Sequence, residues 1–159
     1  MNILVLCTGN SARSILLECI LNKRGGARVK AYSAGSRPAG QVHPMALRLL
    51  TRLGYTTSQL RSKSWDEFAT PDAPEMGLVI TVCGNAAEEA CPIWPGAPVR
   101  THWGVDDPAT ASEEDQQDAF EAAYAILEAR ARSMLDLPFE TMDQSQLSAE
   151  LAKISRVVK

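Results

Sequence analysis

Residues 2–14 read Asn2-Ile3-Leu4-Val5-Leu6-Cys7-Thr8-Gly9-Asn10-Ser11-Ala12-Arg13-Ser14. The apolar run before Cys7 predicts a short buried strand. After Arg13, the residues Ile15, Leu16, Cys19 and Ile20 fall on one face of a helix. A tight strand-to-helix turn therefore begins at Cys7. Backbone N–H groups at a helix start point into such a turn, and the macrodipole favours an anion there. Arg13 adds a permanent positive charge in a fork suited to tetrahedral oxyanions. The same surroundings predict a lowered Cys7 pKa and a resident thiolate. Ser14 can donate a hydroxyl hydrogen bond to that thiolate. Thr8, Gly9, Asn10, Ser11, Ala12, Arg13 and Ser14 thus form a candidate oxyanion cradle with a nucleophile, Cys7, at its base. The plainer alternative is a buried structural cysteine with a surface arginine. A nucleotide P-loop fits less well, because its Gly-Lys-Ser/Thr ending is missing.

Working outward, strands and helices alternate. The first strand is expected at 2–6 and the first helix at 13–24, ended by Gly25-Gly26. A second strand is expected at 28–33, followed by a turn at Ala34-Gly35. Pro44 suits the first turn of a helix over 44–53, and Ser64 caps a short helix over 64–69. Leu78-Val79-Ile80-Thr81-Val82 is a continuous apolar run and reads as a central strand. A weaker strand is expected at 99–103, then helices over 112–134 and 145–157. This alternation implies an α/β fold whose parallel sheet is covered on both faces. Cys7 then lies at the carboxyl end of a strand, where open α/β sheets hold their ligands.

The chain of 159 residues suits a single domain, 1–159, with a helical extension at about 140–159. The net charge of −3 argues against broad nucleic-acid binding. Cys7 and Asn10 interrupt the apolar start too early for a signal peptide, and no run reaches the length of a membrane span. Four cysteines without a secretion signal suggest a reducing, cytoplasmic setting and chemical use of the thiols. No two cysteines have zinc-ligand spacing and the two histidines, His43 and His102, are scattered, so no metal site is expected.

A second constellation is Cys83-Gly84-Asn85-Ala86-Ala87-Glu88-Glu89-Ala90-Cys91-Pro92. Cys83 directly follows the buried strand, at a carboxyl end again, and is expected near Cys7. If 83–91 were helical throughout, the two cysteines would lie roughly 12 Å apart along the axis. A disulfide needs Cα atoms within about 7 Å. A bond between them therefore requires the segment to unwind, and Gly84 and Asn85 ease that. Cys19, on the apolar helix face, reads as core. The third element is Trp103-Gly104-Val105-Asp106-Asp107-Pro108. Pro108 holds Asp107 on a stiff extended loop, where its carboxyl group can act as general acid. Asp106 or Asp107 can equally cap the helix that follows.

The Cys7–Ser14 loop, the Tyr32-Ser33-Ala34-Gly35 turn and the Asp107-Pro108 loop, in that order over about residues 2–135, resemble the low-molecular-weight protein tyrosine phosphatase superfamily. Within it, Cys83…Cys91-Pro92 and His102-Trp103-Gly104…Asp107-Pro108 are similar to the arsenate reductase branch. The resemblance implies a three-layer α/β/α, flavodoxin-like fold with a four-stranded parallel sheet. It implies Cys7 as nucleophile, Arg13 and the loop amides as oxyanion holders, Ser14 as tuner of the thiolate and Asp107 as acid. It further implies that arsenate, or a phosphate-like oxyanion, is attacked by Cys7, and that Cys83 and then Cys91 or glutathione resolve the adduct. No bound cofactor is implied, only an external thiol reductant: thioredoxin, or glutathione with glutaredoxin. The spacing of eight between Cys83 and Cys91 is longer than is usual in thioredoxin-linked members, so both reductants stay open. Asn10, Glu18 and Ser33 match potassium ligands of some members, but Ser64 stands where an aspartate is expected. Two other functions remain beside the reductase: a phosphatase acting on phosphate monoesters, and a non-catalytic oxyanion or redox sensor. Against phosphotyrosine, Ala109-Thr110-Ala111 follow Asp107-Pro108 where tyrosines would wall an aromatic ring.

Overall fold

Four parallel strands form the centre of the structure, a computed structural model that describes residues 1–89 and 92–159. They are β1 (Asn2–Leu6), β2 (Lys30–Ala34), β3 (Leu78–Thr81) and β4 (Val99–His102), in the spatial order β2-β1-β3-β4. The helices are α1 (Arg13–Gly25), α2 (Pro44–Arg52), α3 (Gly84–Glu88), α4 (Gln116–Leu135) and α5 (Gln144–Val157). The expected three-layer α/β fold with a four-stranded parallel sheet is what the chain adopts.

The apolar run that announces β1 is buried on both faces. Ile3 and Val5 enter the larger core with Ile15, Leu16, Ile20, Leu50, Phe120 and Leu127. Leu4 and Leu6 face the smaller core of Phe68, Met76, Val79 and Trp94. Each of these side chains is essentially inaccessible, and burying one contributes about 1.5–3 kcal/mol. Register follows: Val5 pairs with Ser33 on one side and Ile80 on the other.

Element edges differ from expectation for local reasons. Gly26, at φ +54°, starts a 3-10 turn over Gly26–Arg28, so β2 begins at Lys30 rather than at 28. Asp107 caps a separate 3-10 turn, Pro108–Thr110, and α4 does not begin until Gln116. Asp143 and Gln146 form a reciprocal capping box that starts α5 one residue early. That last helix belongs to the core. Leu147, Leu151 and Ile154 are buried, and the Trp103 indole donates to Leu151 O at 3.2 Å. Arg130 of α4 reaches both Val158 O and Gly104 O, tying α5 to the loop after β4.

The strand order matters for the site. From β1 the chain crosses to β2 on one side, whereas from β3 it crosses to β4 on the other. The connections that leave β1 and β3 therefore diverge and open a crevice at their carboxyl ends. Cys7 and Cys83 are the residues that sit there.

Candidate active site

The loop between β1 and α1 is held from outside by its carbonyl oxygens. Thr8 O accepts from Arg37 N at 3.0 Å, Gly9 O from Ala39 N at 2.9 Å and Ser62 Oγ at 3.1 Å, and Ser11 O from His43 N at 2.9 Å. A trans peptide points its C=O and N–H in opposite directions. With those carbonyls turned outward, the N–H groups of Gly9, Asn10 and Ala12 face the interior of the loop. Asn10 takes the strained step, at φ +43°, with a fully buried side chain. Its Oδ1 accepts from Lys63 N at 3.0 Å and its Nδ2 donates to Ser14 Oγ at 2.9 Å. Gly35 closes the underside: a Cβ there would lie 2.4 Å from Thr8 O and 2.7 Å from Cys7 O.

The space so enclosed is a pocket of about 130 Å3, lined by Cys7, the loop from Gly9 to Arg13, Asp107 and Ala109. That is about the liquid volume of four waters, enough for a small tetrahedral anion. Arg13 closes one wall. Its Nη1 donates to Val105 O at 2.8 Å, its Nη2 lies 3.4 Å from Asp107 Oδ2, and its Nε is buried with no acceptor among the described residues. A buried charged donor without a partner is costly, and an oxyanion placed in the pocket would supply an acceptor. Two larger cavities, of about 480 and 490 Å3, flank Lys23 and Tyr55. Cys19 borders the first, but burial pushes its thiol up to about 12, so it is the inert core cysteine expected.

Cys83 comes to the same loop from the end of β3. Its Sγ accepts from Thr8 N at 3.3 Å and Ala86 N at 3.4 Å, and lies 3.5 Å from Thr8 Oγ1. Here the structure corrects the expectation of a resident thiolate on Cys7. The hydrogen bond Cys7 makes to Cys83, with burial, pushes the Cys7 thiol up, and Arg13 offsets this only in part. That same bond, with the Thr8 hydroxyl and the Ala86 and Thr8 amides, brings Cys83 down to about 5 against its burial. The two thiols are thus pushed in opposite directions, Cys7 up and Cys83 down.

Other expected residues divide. Asp107 faces Arg13 and also caps the turn after it, Oδ1 accepting from Ala109 N at 3.0 Å, so the capping role is present. Thr8 departs from the cradle, because its N–H is committed to Cys83. Ser14 lies fully buried beneath the loop and accepts from Asn10, and among the described residues it makes no bond to Cys7. Cys91 lies outside the described residues. The candidate potassium ligands do not fit a cation: Glu18 accepts from Ser33 Oγ at 3.1 Å and already faces the Lys63 ammonium, while Ser64 caps Asp66 N. Burial raises Glu18 and lowers Lys63, each partly offset by the other's charge. Among the described residues, no cluster of three or more His, Cys, Asp or Glu side chains could hold a metal ion. Lys63, Ser62 and Glu89 carried no signal in the sequence, because each reaches the loop from a segment remote in the chain.

The family model described as low molecular weight phosphotyrosine protein phosphatase matches residues 2–152, extending well past the expected 135 into α5. An arsenate reductase of Halalkalibacterium halodurans is 39% identical over 112 residues, which are 70% of this chain and 77% of the relative. Among solved structures, a thioredoxin-dependent arsenate reductase of Corynebacterium glutamicum superposes with a TM-score of 0.57 at 27% identity, covering 79% of this chain but 57% of that longer one. A tyrosine phosphatase of Erwinia amylovora superposes with a TM-score of 0.62 at 25% identity, covering 82% of this chain and 88% of the other.

Proposed function

Since the chain belongs to the low molecular weight phosphotyrosine protein phosphatase family, we propose that its loop performs thiol chemistry on a tetrahedral oxyanion, and that it reduces arsenate to arsenite. The observation that carries this reading is the second thiol at the loop: Cys83 Sγ is bonded to Thr8 N, one residue from Cys7. Hydrolysis of a phosphate ester needs Cys7, Arg13 and Asp107 alone. Reduction needs a further sulfur within reach of the first, and the 39% identical relative from Halalkalibacterium halodurans is an arsenate reductase.

In this mechanism arsenate sits in the pocket with its oxygens on the Gly9, Asn10 and Ala12 amides and on Arg13 Nε. Cys7 sulfur attacks arsenic, and an arsenate oxygen leaves as water with a proton from Asp107. Cys83 thiolate then attacks Cys7 sulfur. The S–As bond breaks, its electron pair stays on arsenic, As(V) becomes As(III), and a Cys7–Cys83 disulfide remains. Cys91 thiolate, or glutathione, exchanges into that disulfide and frees Cys7. Thioredoxin, or glutaredoxin with glutathione, removes the oxidised product. The cytoplasm, which keeps thiols reduced, suits a cycle that must begin with free cysteines. Residues 1–159 act together as one catalytic domain, with the 140–159 extension as a brace for the core.

The test is arsenate-dependent NADPH oxidation in two coupled systems, one with thioredoxin and its reductase, the other with glutathione, glutaredoxin and glutathione reductase. Turnover in either supports the reductase; turnover with thioredoxin alone supports the full Cys7–Cys83–Cys91 relay, and turnover with glutathione alone replaces Cys91 by glutathione. Silence in both, with hydrolysis of a phenyl phosphate ester, would overturn the reading in favour of a phosphatase.

A further inference from the structure

Two-thiol reduction makes a demand on protons that the resting site does not meet. Cys7 must attack as a thiolate, and Cys83 must be a thiolate afterwards. Burial and the neighbouring Cys83 nevertheless favour the protonated form of Cys7. When Cys7 becomes the nucleophile, that proton passes to Cys83, and it must leave Cys83 before the second attack.

A route out is built into the segment after α3. Thr8 Oγ1 lies 3.5 Å from Cys83 Sγ and donates to Glu89 Oε1 at 3.4 Å. A hydroxyl has one hydrogen, so when it is turned to Glu89 its oxygen is free to accept from a Cys83 thiol. Cys83 S–H, Thr8 O–H and the Glu89 carboxylate then form a single directed chain. The other carboxylate oxygen, Glu89 Oε2, is buried with no hydrogen-bond partner among the described residues. An unpaired buried carboxylate oxygen is costly. Hydrogen bonds of this kind are often long before substrate binds and tighten with it.

We propose that Glu89 accepts the proton of the Cys83 thiol, reached through the Thr8 hydroxyl, an inference that rests on the two-thiol reduction described above. As Cys7 attacks, its proton moves to the Cys83 sulfur. Cys83 then gives that proton to Thr8 Oγ1 while Thr8 gives its own to Glu89 Oε1. No electron changes centre in this step; it leaves a Cys83 thiolate and a neutral Glu89 carboxyl group. Glu89 touches neither the oxyanion nor the reacting sulfurs, and serves as a positioning residue for the Thr8 proton. Among the described residues, the titratable groups facing Cys83 are Cys7 at the end of β1 and, through Thr8, Glu89; Arg13 of α1 acts on Cys7.

The experiment is a single turnover of the prereduced full chain with arsenate and no external reductant, quenched in acid and read as arsenite formed, across about pH 6 to 8.5. Glu89→Gln should slow arsenite formation by about ten-fold or more near pH 6, with the deficit shrinking as pH rises and added imidazole restoring the rate. Thr8→Val should shift the profile in the same way, Thr8→Ser should keep the parent profile, and the double variant Glu89→Gln/Thr8→Val should be no slower than Thr8→Val alone. The Thr8 pair keeps the test intact if Glu89→Gln fails to fold. A Glu89→Gln profile that superimposes on the parent's, or deficits that multiply in the double variant, would overturn the proposal. Absence of arsenite from the parent itself would instead overturn the reductase reading beneath it.

Discussion

At the scale of single residues, the loop is a shape held by contacts that leave no slack. Gly35 packs its Cα against the Thr8 and Cys7 carbonyls, where a methyl group would lie 2.4 Å from an oxygen of the backbone. Gly35→Ala is expected to cost about 2–3 kcal/mol of stability and to weaken phosphate binding as the loop shifts, measured by urea denaturation and by titration with inorganic phosphate. The thiol pair gives a second prediction. Unfolded, Cys7 and Cys83 bind two protons until pH approaches the ordinary thiol value, about 8.5. Folded, they bind one above about 5, the value to which Cys83 is brought down. Between these limits the unfolded state binds more protons, so stability rises with pH. Above them the raised Cys7 keeps its proton while the unfolded chain loses both, so stability falls again. Denaturation under reducing conditions should show the rise in the parent, and Cys83→Ser should flatten it.

The same scale shows what a sequence can and cannot disclose. Cys7, Arg13 and the loop between them are legible because strand, turn and helix are contiguous. Asp107 is legible because Pro108 stiffens its backbone. The lowering of Cys83 is not legible: it depends on Cys7 and on Thr8, which lies 75 residues away in the chain. Nor are Lys63 and Glu89, which meet Asn10 and Thr8 only after the fold has closed.

At the scale of elements, apolar patterning locates every strand and long helix, and local capping decides where each stops. The fate of α5 is the instructive case. Its Leu147, Leu151 and Ile154 spacing announces an amphipathic helix, but the spacing alone fits a core contact and an oligomer contact equally. The structure buries that face against β4 and seats the Trp103 indole on Leu151 O. Leu151→Ala is therefore expected to cost about 2–5 kcal/mol in urea denaturation. Turnover per folded molecule should remain at the parent level, because no atom of α5 borders the pocket. A change in turnover without a change in stability would mean that α5 serves the site directly.

At the scale of the whole molecule, the strand order β2-β1-β3-β4 is what makes two remote cysteines into one site. The chain leaves β1 and β3 in opposite directions, and the crevice between them receives Cys7 from one and Cys83 from the other. Alternating strands and helices in the sequence imply a parallel sheet, but they leave the strand order open, and with it the distance between the thiols. The oxyanion loop alone would serve a hydrolase; the switch in direction adds the second sulfur. The account therefore stands on the bond those two sulfurs form. The direct measurement is disulfide mapping by mass spectrometry of the prereduced Cys91→Ser variant after exposure to arsenate without external reductant. The account predicts a Cys7–Cys83 disulfide and an equal amount of arsenite. Free thiols at both positions with arsenate unreduced, or arsenite formed with Cys83 still free, would contradict it.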